Sequence, residues 1–106
     1  MPAVIASLTP KEGMLQELVE TYTRFLPAIH AEEGCEFFTL HTSKSELFIV
    51  ESWASGEHLR AHTSTQTFKT NNELIAPLLA EPPKINIVRA VPGGDPDKGI
   101  LRAVGT

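Results

Sequence analysis

The chain of 106 residues suits a single domain, and its 42% hydrophobic and 21% charged residues are typical of a globular protein. A net charge of −4 disfavours nucleic acid and anionic membrane surfaces as partners. Cys35 is the only cysteine, and no apolar run approaches the roughly 20 residues that span a bilayer. We therefore expect a cytoplasmic protein with no nucleic-acid or membrane partner.

The N-terminal part of the chain predicts a strand followed by a helix. Residues 3–8 are apolar and β-branched, which indicates a buried strand. Thr9, Pro10 and Glu12 resemble a helix start, since they suit the cap, the first turn and the third position of a capping box. Apolar residues then recur with helical spacing over residues 14–29.

The end of this helix and a β-hairpin follow. Pro27 lies inside the helical pattern and predicts a kink or a local break, and Gly34 is a natural end. Residues 35–41 and 46–53 are rich in strand-forming side chains and are joined by the polar segment 42–45. This pattern predicts two antiparallel strands.

The remainder of the domain predicts a divided helix and a final strand. Ser55 is a candidate cap for helical residues that extend to residue 79. The segment 63–67 is poor in helix formers, so we expect two helical pieces separated by a break. Residues 81–83 (Glu-Pro-Pro) end the helix, and residues 84–91 predict a last core strand.

The predicted order is β-α-β-β-α-β, an α+β, ferredoxin-like arrangement with helices on one face of an antiparallel sheet. Residues 37–38 and 47–50 place large apolar groups on both sheet faces, although the helices cover only one. The second face therefore predicts a homodimer packed sheet against sheet. We expect a domain over residues 1–92 and a tail over residues 93–106, which forms an arm on the partner subunit or a frayed end.

An ordered set of short motifs gives the chain a family resemblance. The motifs are Glu-Glu-Gly-Cys at 32–35, the strand 48–53 ending in Glu-Ser-Trp, Leu-Arg-Ala-His-Thr-Ser at 59–64, Phe68, and Asn-Ile at 86–87. At these spacings the chain resembles the antibiotic-biosynthesis monooxygenase (ABM) family, and within it the bacterial quinol monooxygenases. The resemblance covers nearly the whole predicted domain.

The resemblance implies a dimeric α/β barrel of ferredoxin-like domains, each with a hydrophobic pocket between helices and sheet. It also implies oxidation of a quinol or polycyclic phenol by molecular oxygen, with no metal or flavin cofactor. A hydroquinone that loses a proton becomes an electron-rich anion, which reduces oxygen directly. The protein then has to deprotonate, orient and shield the substrate.

The candidate catalytic residues are His62 and Glu51. Imidazole titrates near neutrality, so His62 is suited to accept a phenolic proton or to bind the oxyanion. Its alternative role is to cap the break in the second helical region. Glu51, beside an apolar pocket, is either a base of raised pKa or a carboxylate that binds backbone amides or an arginine across the dimer.

A second set of residues is expected to bind the substrate. It comprises Trp53, Phe68, Phe48, Leu26, Tyr22 and Arg89. Trp53 either forms a cavity wall for a flat aromatic ring or anchors the core. Arg89 is a candidate partner for Glu51 or for a developing anion, with an interface salt bridge as the alternative.

Metal and haem sites are disfavoured. His58 and His62 lie four residues apart, but a third ligand has to come from distant His30, His41 or a carboxylate, so we expect no metal. The haem-degrading branch of the superfamily implies a Trp where this chain has His62 and a His where it has Asn72. Both differences argue against haem.

Two other functions stay open. The same pocket suits a protein that binds a small hydrophobic metabolite without turnover. An isomerase of a small carbonyl compound is the third possibility, with His62 and a carboxylate moving a proton between carbons. The isomerase needs polar pocket walls, whereas this sequence offers mostly Phe, Leu and Ile.

Overall fold

The computed structural model describes residues 2–101. Within them the chain forms an α+β, ferredoxin-like fold, as predicted. The elements are β1 (Ala3–Leu8), α1 (Leu15–His30), β2 (Cys35–Thr42), β3 (Leu47–Trp53), α2 (Gly56–Thr63), α3 (Gln66–Ile75) and β4 (Lys84–Val88). The four strands pair antiparallel in the order β2-β3-β1-β4. Helix α1 packs on β2, β3 and α3, so one face of the sheet is covered by helices.

The first helix starts later than its sequence predicts. Helix α1 begins at Leu15, not near Thr9. Pro10 instead forms an isolated β-bridge with Leu79, and the Thr9 hydroxyl donates to a Glu46 carboxylate oxygen at 3.4 Å. The predicted capping box is therefore wrong, because tertiary contacts engage its first two residues before the helix can begin.

The end of α1 depends on a close approach at Gly34. Pro27 lies within the helix, which continues to His30, four residues before the predicted end at Gly34. Gly34 has a φ of +82°, and a Cβ placed there would clash with the His58 side chain. Only glycine suits both the backbone conformation and this contact. Gly34 thus brings the segment after α1 against helix α2.

The second helical region is divided, as predicted. Helix α2 ends at Thr63, and α3 begins at Gln66. The Ser55 hydroxyl accepts from the backbone N–H of His58, so the predicted cap is confirmed. The Thr65 hydroxyl accepts from the Phe68 N–H and caps α3 in the same way. The break leaves His62 in the last turn of α2.

A β-bulge in β2 lies just before two neighbouring phenylalanines, Phe37 and Phe38. Cys35 pairs with Trp53, but Phe37 pairs with Ser52, so one extra residue lies between these pairs. Beyond the bulge, side chains alternate regularly along β2, so Phe38 is buried under the helices and Phe37 lies on the opposite side. We call the helix-covered side the inner face and the other side the outer face.

Strand β4 is an exposed edge and not a core strand. It ends at Val88, three residues before the predicted end, and within residues 2–101 it pairs only with β1. Ile85 and Ile87 are 63% and 69% exposed. The helices do not extend over this edge, which explains why an apolar strand stays accessible.

The described part of the tail, residues 93–101, lacks helices and strands. Ile100 and Leu101 line a groove with outer-face residues of the same chain, among them Ile5, Phe37 and Val50. The end of the predicted arm, residues 102–106, lies outside the described residues. No helix within residues 2–101 combines the length and apolar character needed to cross a membrane.

Candidate active site

A cavity of about 180 Å³ lies between the inner face and the helices. Its wall is mostly apolar and includes Val4, Ala6, Leu8, Ile29, Phe38 and Ile49. Polar side chains in the wall include Tyr22, Glu51, His62, Thr67, Asn71 and Asn72. An apolar pocket with a few convergent polar groups is the usual form of a small-molecule site.

The central polar feature is a hydrogen bond between His62 and Glu32. Nδ1 of His62 lies 2.8 Å from Oε1 of Glu32, and the two side chains are 5% and 16% exposed. A carboxylate in this position fixes the proton on Nδ1 and leaves Nε2 as the acceptor. Nε2 makes no hydrogen bond within residues 2–101. The arrangement therefore provides an oriented base in the cavity wall.

Three aromatic rings hold the imidazole of His62. The Trp53 indole stacks on it with a centroid distance of 4.6 Å and an interplanar angle of 29°. Phe68 presents an edge contact at 5.3 Å, and Phe38 lies 6.0 Å away. The ring is thus fixed by packing as well as by Glu32, which limits its motion during proton transfer.

Glu51 is a buried carboxyl beside this histidine. Its Oε1 accepts a 2.8 Å hydrogen bond from the Trp53 indole N–H. Burial raises the pKa of Glu51, while the Trp53 hydrogen bond and the nearby His62 oppose the rise and Glu32 adds to it. Among the described residues, its hydrogen-bond partner is thus the Trp53 indole and not a backbone amide, and the expected contact with an arginine across the dimer stays a prediction.

Tyr22 and Asn71 form a second polar group in the cavity wall. Burial raises the pKa of Tyr22 to about 12, although a hydrogen bond with Asn71 opposes the shift. The phenol is therefore neutral at pH 7. The Asn71 side-chain oxygen is buried and has no hydrogen-bond partner among the described residues.

Cys35 is not an activated thiol. Burial and the nearby carboxylates of Glu32, Glu51 and Glu36 raise its pKa to about 11. Since the thiolate is the nucleophile, the side chain is unreactive at neutral pH. Cys35 also does not line the cavity.

The structure brings together four of the predicted site residues. His62, Glu51, Phe68 and Tyr22 all line the cavity. Their position agrees with the roles expected for them, but the roles themselves stay predictions.

The other four predicted residues do not line the cavity. Trp53 is fully buried behind His62, so of its two expected roles it has the core position. Leu26 packs against the core, and Phe48 lies on the outer face because side chains alternate along β3. Arg89 follows the end of β4, lines the outer-face groove and makes no ion pair within residues 2–101.

Two residues of the site were missed by sequence reasoning. Glu32 belongs to the acidic-Gly-Cys motif, but it lies 30 residues from His62, and no spacing links the two. Asn71 is an ordinary polar residue of a helix in the sequence. Its only signal was its place on the apolar side of α3, beside Phe68 and Ile75.

The described residues do not assemble an obvious metal centre. No three of the His, Cys, Asp and Glu side chains within residues 2–101 gather into a group that could hold a metal ion. His58, the suggested partner of His62, hydrogen-bonds Ser55 through Nδ1 at 2.7 Å, and its Nε2 lies 3.9 Å from Glu33.

Comparison with solved structures finds many chains of the same fold. A protein from Caulobacter crescentus CB15, which carries the antibiotic biosynthesis monooxygenase name, is 27% identical. The match covers 85% of this chain and 89% of that one, with a TM-score of 0.77. A Mycobacterium tuberculosis protein is 22% identical, with 89% and 98% coverage and a TM-score of 0.81. A conserved protein from Methanosarcina mazei Go1 is 24% identical, with 83% and 90% coverage and a TM-score of 0.78.

The comparison with family models is more specific. No curated protein matches the chain. The model for antibiotic biosynthesis monooxygenases, however, matches residues 1–74. That span holds β1 to α2 and all but the last residue of α3, and with them Glu32, Glu51 and His62. Because the match extends over more than half of the sequence, the chain belongs to the antibiotic biosynthesis monooxygenase family.

Proposed function

We propose that this protein is a cofactor-independent monooxygenase that oxidises a quinol or a related phenol with molecular oxygen. The observation that carries the proposal is the buried His62–Glu32 pair in the wall of an apolar cavity. His62 is the proton acceptor, and Glu32 is the residue that positions it. Family membership supports the monooxygenase class.

The first step is removal of a phenolic proton. His62 Nε2 takes the proton of one substrate hydroxyl, and the resulting imidazolium stays paired with Glu32. The phenolate left behind is a far better electron donor than the neutral phenol. The apolar wall then keeps water from the charged intermediate, which strengthens its attraction to the imidazolium.

The oxygen-consuming step balances without a further reductant. A quinol with a free ring position donates electrons to molecular oxygen, and one oxygen atom forms a new bond to ring carbon. The second oxygen atom leaves as water with two hydrogens that come from the quinol. A naphthohydroquinone plus oxygen thus gives a hydroxynaphthoquinone plus water.

The cavity restricts the size of the substrate. A volume of about 180 Å³ is smaller than the roughly 300–1,000 Å³ of pockets for drug-sized ligands. This favours phenols with one or two rings over larger polycyclic compounds. The mostly apolar wall also argues against the isomerase alternative, since a small polar carbonyl compound would leave most of the wall unmatched.

We also propose that the protein acts as a homodimer through its outer face. Ile5 is 45% exposed at the centre of this face, and Phe37, Phe48 and Val50 are only half-buried. Apolar side chains grouped on one sheet face are typical of an interface. Sedimentation of the purified protein tests the proposal, and a single species with the monomer mass would contradict it.

The deciding experiment for the function is oxygen consumption by metal-stripped protein with hydroquinones, naphthoquinols and anthrones. We expect uptake above autoxidation for a substrate of one or two rings, and incorporation of one atom from isotopically labelled oxygen into the product. Binding of the quinol with no uptake would favour the metabolite-binding alternative.

A further inference from the structure

The wall of the cavity contains an unpaired hydrogen-bond acceptor. Asn71 lines the cavity and is only 5% exposed, and its Oδ1 makes no hydrogen bond within residues 2–101. Buried amide oxygens are rarely left in this state, because the lost hydrogen bond to water is not replaced. The site is therefore incomplete until a donor is supplied.

The surrounding side chains do not supply that donor. Tyr22 interacts with the Asn71 side chain, yet the amide oxygen stays unpartnered. Thr67, one helical turn earlier on α3, also lines the cavity but forms no hydrogen bond with Asn71. The terminal torsion of an Asn side chain has a broad profile, so the amide can turn its oxygen towards a cavity ligand at small cost.

Two residues of the cavity wall, on two different helices, thus each carry a hydrogen-bond acceptor. His62 Nε2 comes from α2, and Asn71 Oδ1 comes from α3. We infer that Asn71 accepts a hydrogen bond from a second hydroxyl of the substrate while His62 takes the proton of the first. This inference rests on the proposed function and makes Asn71 a specificity residue for dihydroxy over monohydroxy aromatic compounds.

The selectivity follows from the unpaired acceptor. A ligand with one hydroxyl and one methoxy group satisfies His62 but leaves the Asn71 oxygen without a donor. Loss of one buried hydrogen bond corresponds to about a tenfold weaker affinity. A naphthohydroquinone should therefore bind about ten times more tightly than its monomethyl ether.

The test measures the binding of 1,4-naphthohydroquinone and 4-methoxy-1-naphthol by calorimetry without oxygen, so that turnover does not enter. We expect a ratio of about ten in the unmodified protein and a ratio near one in Asn71→Leu. Thr70→Val is the matched control on the same helix, because Thr70 does not line the cavity, and it should keep the ratio of about ten. Asn71→Ala serves as a second variant, and circular dichroism checks that each protein is folded.

Equal binding of the two ligands by the unmodified protein would overturn the inference, whether or not either variant folds. A ratio of ten that persists in folded Asn71→Leu or Asn71→Ala would overturn it too, as would tighter Asn71-dependent binding of 1,4-naphthoquinone, which offers only acceptors. If neither naphthol binds, the inference and the quinol assignment both fail. If the ratios are as expected but no oxygen is consumed, only the proposed oxygenation fails.

Discussion

The inner and outer faces of the sheet are both apolar, but only the inner side also contains buried ionisable side chains. The outer face instead has apolar side chains that are exposed. On the inner face, the carboxyl of Glu51 and the imidazole of His62 lie deep in the core, each held by a hydrogen bond of 2.8 Å. At the centre of the outer face, Ile5 is 45% exposed and the neighbouring Val50 is half-buried.

This difference separates a chemical site from a docking surface. Burying an ionisable group costs free energy even when it is paired, so a buried group that adds little to stability suggests a role in chemistry. Apolar surface costs free energy when it is exposed to water, and contact with a partner removes that cost. The inner face is therefore the place to look for catalysis, and the outer face is the place to look for a second subunit.

The largest effect should come from removing the base on the inner face. We expect His62→Ala to lower the rate of quinol oxidation by about 10²–10⁴, the usual contribution of a general base. Oxygen uptake under saturating quinol measures it. His41→Ala removes an exposed histidine of β2 and should keep the full rate. Equal rates in the two variants would exclude His62 as the proton acceptor.

A smaller loss of quinol oxidation is expected when His62 is kept and only its orientation is disturbed. In Glu32→Gln the amide N–H₂ can donate to Nδ1, which favours the tautomer with the proton on Nε2 and blocks proton uptake there. We expect a fall in kcat of about 10–100-fold with little change in KM.

The neighbouring residue offers a matched control for Glu32. Glu33→Gln changes the same functional group one position away, where the side chain is 94% exposed. It should leave kcat unchanged. A shared loss of activity in both variants would point to general damage to the segment after α1, not to a role of the Glu32–His62 pair.

On the outer face, a charge should weaken association and spare the chemistry. Ile5→Lys places an ammonium at the proposed interface, and we expect a dimer at least tenfold weaker by analytical ultracentrifugation. Leu74→Lys is the matched control, because Leu74 on α3 is 47% exposed and Ile5 is 45% exposed. We expect this variant to leave the affinity of the dimer unchanged. Equal dissociation of both variants would assign the interface elsewhere.

The smallest effect concerns the pH dependence of stability at Glu51. Its pKa is raised in the folded state, so the native protein keeps this proton at pH values where the unfolded chain has lost it. The free energy of unfolding should therefore fall as pH rises from about 4.5 through the raised pKa, and then level off. Urea unfolding at several pH values measures this slope, and Glu51→Gln should remove it. An unchanged slope in the variant would contradict the assignment.

The sequence predicted the features that depend on neighbouring residues. The strand Ala3–Leu8, the Ser55 cap and the break between α2 and α3 follow from local composition, and the structure contains each of them. The start of α1 was mispredicted because Leu79 pairs with Pro10 from the other end of the domain. Local chemistry carries no information about such a contact.

The candidate site was predicted in part for the same reason. His62 and Glu51 follow from residue type and motif, but the partner of each depends on the tertiary fold. Glu32 reaches His62 only because Gly34 allows the segment after α1 to approach α2. Phe48 was placed in the cavity on its aromatic character, whereas strand alternation puts it on the outer face.

The central claim is that His62 takes a proton from a bound phenol, and a spectrum tests it without turnover. A redox-stable naphthol, whose neutral and ionised forms absorb at different wavelengths, is bound at pH 7 in the absence of oxygen. We predict the naphtholate spectrum in the unmodified protein and in Glu33→Gln, and the neutral spectrum in His62→Ala. A neutral spectrum in the unmodified protein with naphthol bound in the cavity would contradict the account.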